Sequence, residues 1–490
     1  MIRGIAVMLT SKITGGASAD SAVSAPSPFD ASIVSSSNGA ISSITLNGSE
    51  SIGYNNEISY YNATIQSTGT RKIKARKAVG VSDHAYAETF SNVNIAVGGS
   101  FFVYSVSASD GLSFDARTID VIAKRFEEDH PEWKVAIVTN ASFFDRNVSV
   151  GEPEDIYVEH GKTYKSYIEK GEDGGDVFKV GRGIIGVKNN GNVIYSTIED
   201  GTSHYSGSTP YGFESNYTLC ILDENKNSVC EYPLIQNGAC DKELIFITPT
   251  MSARDLSGAT VYKIKCTQYR RAHTSVNGRK VGDKTYYFEG AIESIALGEN
   301  SMLPSAGYVY VATLKPLENL EVGTAVRGNQ KMTGEWADAS FVFAYKQQIL
   351  HEGEVLFGGA NQEVYGDAIE GDWDNSWSED VFYASYGANR TSVGFKADGT
   401  PVIITMPRHI YYDSDGSTIK GEASATYSEM AWYMKSLGCV NAFIMDCGGS
   451  MGMYKKSTGS DEYVVACCEP LHSSPIRDVA SAMILAYPLV

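Results

Sequence analysis

Hydrophobic and polar positions along the chain repeat one grammar twice. In "ARTIDVIAKRFEED", residues 116–129, Ile119, Ile122 and Phe126 recur at helical spacing, and Pro131 follows the last turn. A short apolar strand is predicted over 135–139 and stops at Asn140. Near the C-terminus Thr426 and Glu429 form a capping-box pattern, and Met430, Tyr433, Met434 and Leu437 share one helical face. Gly438 sits where a C-terminal cap belongs, and a strand over 440–445 runs into Asp446. Two helix-then-strand units predict an α+β fold, a β-rich mixed sheet with a few packed helices. If the two strands are parallel neighbours, Asn140 and Asp446 emerge at one edge, where such sheets commonly place sites.

The middle, about 180–380, reads as strands and loops. "GRGIIGVKNNGNVIYS" is a hairpin pattern turning at Asn189-Asn190-Gly191, and residues 389–406 repeat it with Asp398-Gly399 at the turn. Residues 1–84 differ from this: "GGASADSAVSAPSPFDASIVSSSNGAISS" is rich in Ser, Ala and Gly and nearly free of charge. They are expected to form a linker-like arm or an attachment segment ordered against a larger assembly. Strand-like residues 40–46 keep the second alternative open. The compact domain is expected over 85–490.

Composition sharpens this picture. With 43% hydrophobic and 20% charged residues the chain affords a sizeable core, and its 48 Gly, 30 Tyr and 18 Phe favour strands and turns. A net charge of −18 repels a phosphate backbone, so nucleic acid is not an expected partner. No membrane span is expected, because no apolar run is long enough. The apolar run 4–9 is broken by Thr10, Ser11 and Lys12, so no signal peptide is expected. The eight cysteines show no zinc spacing; whether any pair as disulfides stays open, and no metal or cofactor is expected.

The candidate chemistry centres on "NAFIMDCGGSMGMY", residues 441–454, where an apolar run ends in Asp446 and small residues follow at once. A purely structural turn accounts for this pattern equally simply. Gly448 and Gly449 permit a positive φ or the close approach of another group. Arg390 and Arg477 each offer a forked cation suited to phosphate or carboxylate, or are merely exposed arginines. The acidic loop 370–380, "EGDWDNSWSED", lacks the turn glycine and closing glutamate of a calcium loop, and its Trp373 and Trp377 would suit stacking on a sugar.

Taken in order, Asn140-Ala-Ser-Phe-Phe144, residues 290–312, Gly358-Gly359, Asn389-Arg390-Thr391, the Asp446 turn and "PIRDVASAM" resemble the phosphodiester glycosidase family. That family includes relatives of the uncovering enzyme, N-acetylglucosamine-1-phosphodiester α-N-acetylglucosaminidase. The resemblance runs from about 85 to 490. It departs from the family pattern at Cys447 and at Ala141-Ser142, where glycines are usual, and at Ala388-Asn389, where proline is common.

The resemblance implies a phosphodiester glycosidase-like fold and hydrolysis of a sugar-1-phosphodiester in a surface glycan or teichoic-acid-like polymer. Asp446, Arg390 and Thr391 would be catalytic, with Asn140, Gly448, Gly449, Ser450 and Arg477 binding substrate. Asp145 is the candidate for a second carboxylate. The setting that fits is a bacteriophage virion, tail or other extracellular location, with virion partners reached through residues 1–84 and a homo-oligomer left open. The alternative is an inactive structural or receptor-binding virion protein that grips host glycan, which the departures at Cys447 and Ala141-Ser142 motivate.

Overall fold

Residues 442–445 form an unbroken apolar run because both faces of their strand are covered. Ala442 and Ile444 join a core with Met430, Tyr433 and Met434 of the helix Tyr427–Ser436, whereas Phe443 and Met445 belong to a second core on the opposite face. This is the period-two alternation of a strand. Burying such a side chain fully contributes roughly 1.5–3 kcal/mol, so the run fixes the register of the strand. The helix itself starts at the expected capping box, with Thr426 and Glu429 bonded reciprocally, and ends at Gly438, φ +86°.

The computed structural model describes residues 27–37, 40–74, 81–107, 114–142, 144–145, 152–153, 156–165, 183–197, 213–236, 244–248, 253–276, 279–356, 389–412, 414, 416, 419–475 and 477–489. Among the described residues the largest sheet has ten strands. At its centre Cys439–Ile444, Arg390–Lys396, Pro401–Met406, Val81–Gly98 and Ile58–Lys74 lie side by side. Ser43–Ile52 pairs with Ile58–Lys74, so these residues of the N-terminal segment are built into the large sheet.

A second, five-stranded sheet carries Trp133–Asn140 between Met453–Lys455 and Ala482–Pro488. Its residues 483, 485 and 487 share the core that holds Phe443, while 482, 484 and 486 face the helix Ile119–Asp129 through Ile122 and Phe126. The result is a layered body, helix–sheet–sheet–helix, β-rich and α+β as expected.

The strands before Asn140 and Asp446 are not parallel neighbours. They lie in different sheets, and every pairing in both sheets is antiparallel. Strand 439–444 finds its partners in 390–396 and 347–351, and strand 133–140 finds its own in 453–455 and 482–488. The chain passes from one sheet to the other immediately after Asp446, and that crossing brings it back to Asn140.

A third sheet, of five strands, contains the hairpin expected around Asn189–Gly191, Gly183–Lys188 with Val193–Thr197. Between Val193–Thr197 and the sheet's central strand Ala339–Tyr345, residues 213–332 fold into a closed seven-stranded barrel. The barrel is seated on the hairpin 157–165: Thr163 N–H donates to Asn329 Oδ1 at 3.0 Å and Asn329 Nδ2 to Gly161 O at 3.0 Å. Among the described residues no helix is long and apolar enough to cross a membrane.

Candidate active site

Asp446 is 7% exposed and stands at the crossing between the two principal sheets. Its backbone is held from two sides. Its N–H donates to Ala141 O at 3.1 Å, and its carbonyl accepts from Asn140 Nδ2 at 2.7 Å. Asn140 Oδ1 in turn accepts from the Thr391 hydroxyl at 2.9 Å. Three segments far apart in the chain, ending at 140, starting at 390 and ending at 446, are therefore locked together by one amide side chain. Through these bonds Asn140 and Thr391 frame the turn that carries Asp446.

The turn that follows shapes the carboxylate's surroundings. Cys447 N–H donates to Asp446 Oδ1 at 2.9 Å. Cys447 has φ −120°, an ordinary extended conformation, and its side chain packs among the apolar residues under the helix. The glycine usual at this place in the family is thus not needed for backbone geometry. Gly448 does need to be glycine-like, with φ +66°. Its carbonyl accepts from Asn389 Nδ2 at 2.9 Å, and the same Nδ2 donates to Glu469 Oε2 at 2.6 Å. Glu469, itself buried, also pairs with Arg408.

Gly449 makes room for Arg477. A Cβ on Gly449 would lie 2.7 Å from Arg477 Nη2, so the guanidinium rests directly on this glycine. Arg477 Nη1 donates to Ser450 Oγ at 3.2 Å, so Arg477 and Ser450 are joined on the turn that follows Asp446. Burial pushes the Asp446 carboxyl up to about 6 from an ordinary 3.8. The Ser450 hydrogen bond, the charges of Arg477 and Lys346, and the Cys447 N–H all pull the other way. The arrangement is a buried carboxylate in a cationic setting, able to be ionised or protonated near neutral pH.

Arg390 stands on the other face of its strand from Thr391. It is fully buried. Strand alternation puts Arg390 on the helix side of the sheet, opposite Thr391. There its Nε donates to Ala425 O at 2.9 Å, and its guanidinium carbon lies 5.0 Å over the Tyr427 ring. It latches the first turn of the helix Tyr427–Ser436 to the sheet. The cations that act on the Asp446 carboxyl include Arg477 and Lys346.

Lys346 was not singled out by the sequence. It is 3% exposed, lies between the strands Ala339–Tyr345 and Gln347–His351, and donates its backbone N–H to Ile444 O at 2.8 Å. The only local signal is a lysine inserted between two otherwise strand-like runs. Asp145 lies in the short strand Phe144–Asp145, paired with Glu152–Pro153; its side chain, Gly358-Gly359 and the acidic loop 370–380 lie outside the described residues. Among the described residues no three His, Cys, Asp or Glu side chains gather as a metal site.

The phosphodiester glycosidase family model matches residues 271–485, a stretch that includes Thr391, Asp446, the Gly448–Ser450 turn and Arg477. This part of the chain is similar to that family, whose members are hydrolases. No curated protein sequence matches the chain. Similar solved structures include a protein of Synechocystis, 13% identical, TM-score 0.37, covering 91% of this chain and 80% of that one. A protein of Burkholderia pseudomallei is 11% identical, TM-score 0.40, covering 90% and 96%. The catalytic domain of zebrafish N-acetylglucosamine-1-phosphodiester α-N-acetylglucosaminidase, auto-inhibited by its pro-peptide, is 9% identical, TM-score 0.36, covering 90% and 87%.

Proposed function

We propose that the chain is a hydrolase that cleaves a sugar from a sugar-1-phosphodiester, with Asp446 as its carboxylate and Arg477 as its phosphate-side cation. The observation that carries this reading is the buried Asp446 carboxylate on a turn clamped by Asn140 and Thr391, with Arg477 bonded to Ser450 on the same turn. The family match over 271–485 supports it.

Cleavage at an anomeric carbon passes through an oxocarbenium-like transition state, which a nearby ionised carboxylate stabilises. The bond between the anomeric carbon and the bridging phosphate oxygen breaks, water supplies the new hydroxyl, and a phosphomonoester departs. That leaving group is already acidic, so the demand for a strong general acid is small. The larger demand is to stabilise the charge that builds on the departing phosphate, which suits Arg477. Arg390 has a structural role in this scheme, and Thr391 and Asn140 hold the carboxylate in place.

The test is release of free sugar and phosphomonoester from a panel of sugar-1-phosphodiesters by the wild type, Asp446→Asn and Arg477→Gln. Release is expected from the wild type. It should be abolished by Asp446→Asn and lowered roughly 100-fold or more by Arg477→Gln. A wild type that releases nothing from any substrate yet binds surface glycan would replace this proposal with the receptor-binding alternative.

A further inference from the structure

The turn that carries Asp446 is gripped twice, each time by an asparagine. At Asp446 the backbone N–H donates to Ala141 O at 3.1 Å, and the carbonyl accepts from Asn140 Nδ2 at 2.7 Å. The pattern recurs at Gly448. Its N–H donates to Asn389 O at 3.1 Å, and its carbonyl accepts from Asn389 Nδ2 at 2.9 Å. A glycine at φ +66° is held little by its own sterics, so its conformation depends on such outside partners.

The Asn389 amide can hold Gly448 only one way round. Its Oδ1 accepts from Arg408 N–H at 2.9 Å, while its Nδ2 serves both Gly448 O and Glu469 Oε2, the latter at 2.6 Å. Turned over, the amide would set its oxygen against a carbonyl and a carboxylate, and its NH2 against an N–H. The charged partner is the strongest of the three that forbid this. Glu469 Oε1 in turn accepts from Arg408 Nη2. The cluster is sheltered: Asn389 is fully buried, and the side chains of Glu469 and Arg408 are 9% and 13% exposed.

The cluster also bridges the two principal sheets. Asn389 and Arg408 flank the strands Arg390–Lys396 and Pro401–Met406 of the large sheet, whereas Glu469 follows Val464–Cys467 of the second sheet. Both carboxylate oxygens accept, one from an amide and one from a guanidinium, which leaves Glu469 placed to orient rather than to transfer a proton.

We propose that Glu469 is a positioning residue for the Asp446 site, acting through the Asn389 amide on Gly448. The role in catalysis rests on the proposed hydrolase function. Gly448 opens the turn Gly448–Ser450, whose Gly449 lies under the Arg477 guanidinium and whose Ser450 Oγ accepts from Arg477 Nη1 at 3.2 Å. A drift of Gly448 therefore moves the cation relative to the carboxylate, and misplacements of about 1 Å in such a pair cost up to roughly 100-fold in rate.

The experiment compares the wild type, Glu469→Ala and Glu469→Gln as full chains. It measures kcat and KM on a sugar-1-phosphodiester across pH, and backbone amide hydrogen exchange. Glu469→Ala should lower kcat roughly 10- to 100-fold with KM within about threefold. Exchange over 446–451 should quicken at least about tenfold, with Trp133–Asn140 and Arg390–Lys396 still protected. Glu469→Gln keeps an oxygen for Asn389 but not the charge, so it should lose about three- to tenfold in kcat with the same local exchange signature. If the alanine variant does not fold, the glutamine variant decides alone. The acid limb of the pH–rate profile should stay in place, because Glu469 carries no proton in this scheme.

Unaltered kcat, unaltered exchange over 446–451, or faster exchange spread equally over both strands overturns the positioning role. A displaced acid limb overturns it in favour of proton transfer by Glu469. A wild type that cleaves no sugar-1-phosphodiester rejects the hydrolase reading, and faster exchange confined to 446–451 in the variants then still supports the hold of Glu469 on the turn.

Discussion

Replacing Asp446 by Asn should stabilise the protein while abolishing its activity, and the size of the gain should depend on pH. Burial raises the Asp446 carboxyl from 3.8 to about 6 in the folded chain. The folded state therefore holds this proton more tightly than the unfolded state. Between pH 3.8 and about 6 it carries more protons, so this group's contribution to stability falls as pH rises through that window. A displacement of roughly two units at about 1.36 kcal/mol each makes ionised Asp446 unfavourable by about 3 kcal/mol above pH 6. That figure already contains the opposing attraction of Arg477 and Lys346.

Asparagine stays neutral at every pH, and its side-chain oxygen can still accept from Cys447 N–H. At about 2.1 cal/mol/K of unfolding entropy per residue, a 490-residue chain gains about 1 °C per kcal/mol. Thermal unfolding of the two proteins at pH 4, 5, 6, 7 and 8 should give a difference near its baseline at pH 4. By pH 8 the difference should widen by about 3 °C in favour of Asp446→Asn. A difference that does not change with pH, or that grows against the variant, would refute the account of a carboxylate held in an unfavourable place.

The same group sets the acid limb of activity. If ionised Asp446 does the chemistry, kcat/KM should fall as pH drops through about 6, and a pH–rate profile reads this directly. Lys346→Met removes a charge that favours the ionised form, so that limb should move to higher pH. Gly449→Ala should displace the Arg477 guanidinium, costing roughly tenfold or more in kcat while leaving the unfolding temperature nearly unchanged. Gly448→Ala, by contrast, places a Cβ at φ +66° and should cost about 1–2 kcal/mol of stability by denaturant titration. Arg390→Met should destabilise by roughly 2–3 kcal/mol through lost packing and hydrogen bonding, with kcat per folded molecule preserved. Loss of kcat with unchanged stability would return Arg390 to the chemistry.

Much of the local structure was legible because its signals are local. The helix Ile119–Asp129, the Thr426–Glu429 capping box, the Gly438 cap and both hairpins stand where spacing and turn residues place them. The Asp446 turn was legible as a place but not as an arrangement. Period-two alternation tells which residues share a face, but not which strand lies alongside, so the two helix–strand units could be assigned to one sheet when they occupy two. The same gap hid the barrel, whose pairings close between residues scattered over 213–332. Arg390 and Arg477 were indistinguishable as cations in sequence. Their difference is the parity of one strand: Arg390 and Thr391 are adjacent and must face opposite sides of the sheet. Lys346 carries no motif at all, and its role comes only from where two strands meet.

The bond from Asn140 to the Asp446 carbonyl spans 306 residues and joins one sheet to another. Closing so long a loop is an entropic cost that only finished packing offsets, and contacts of such sequence separation form late in folding. No single sheet, and no fragment ending before residue 446, can assemble the clamp. During refolding, therefore, recovery of activity should lag behind recovery of β-structure, and a chain arrested with its sheets formed but undocked would be inert. The seam between the sheets makes completion of the Asp446 clamp a late checkpoint on the whole fold.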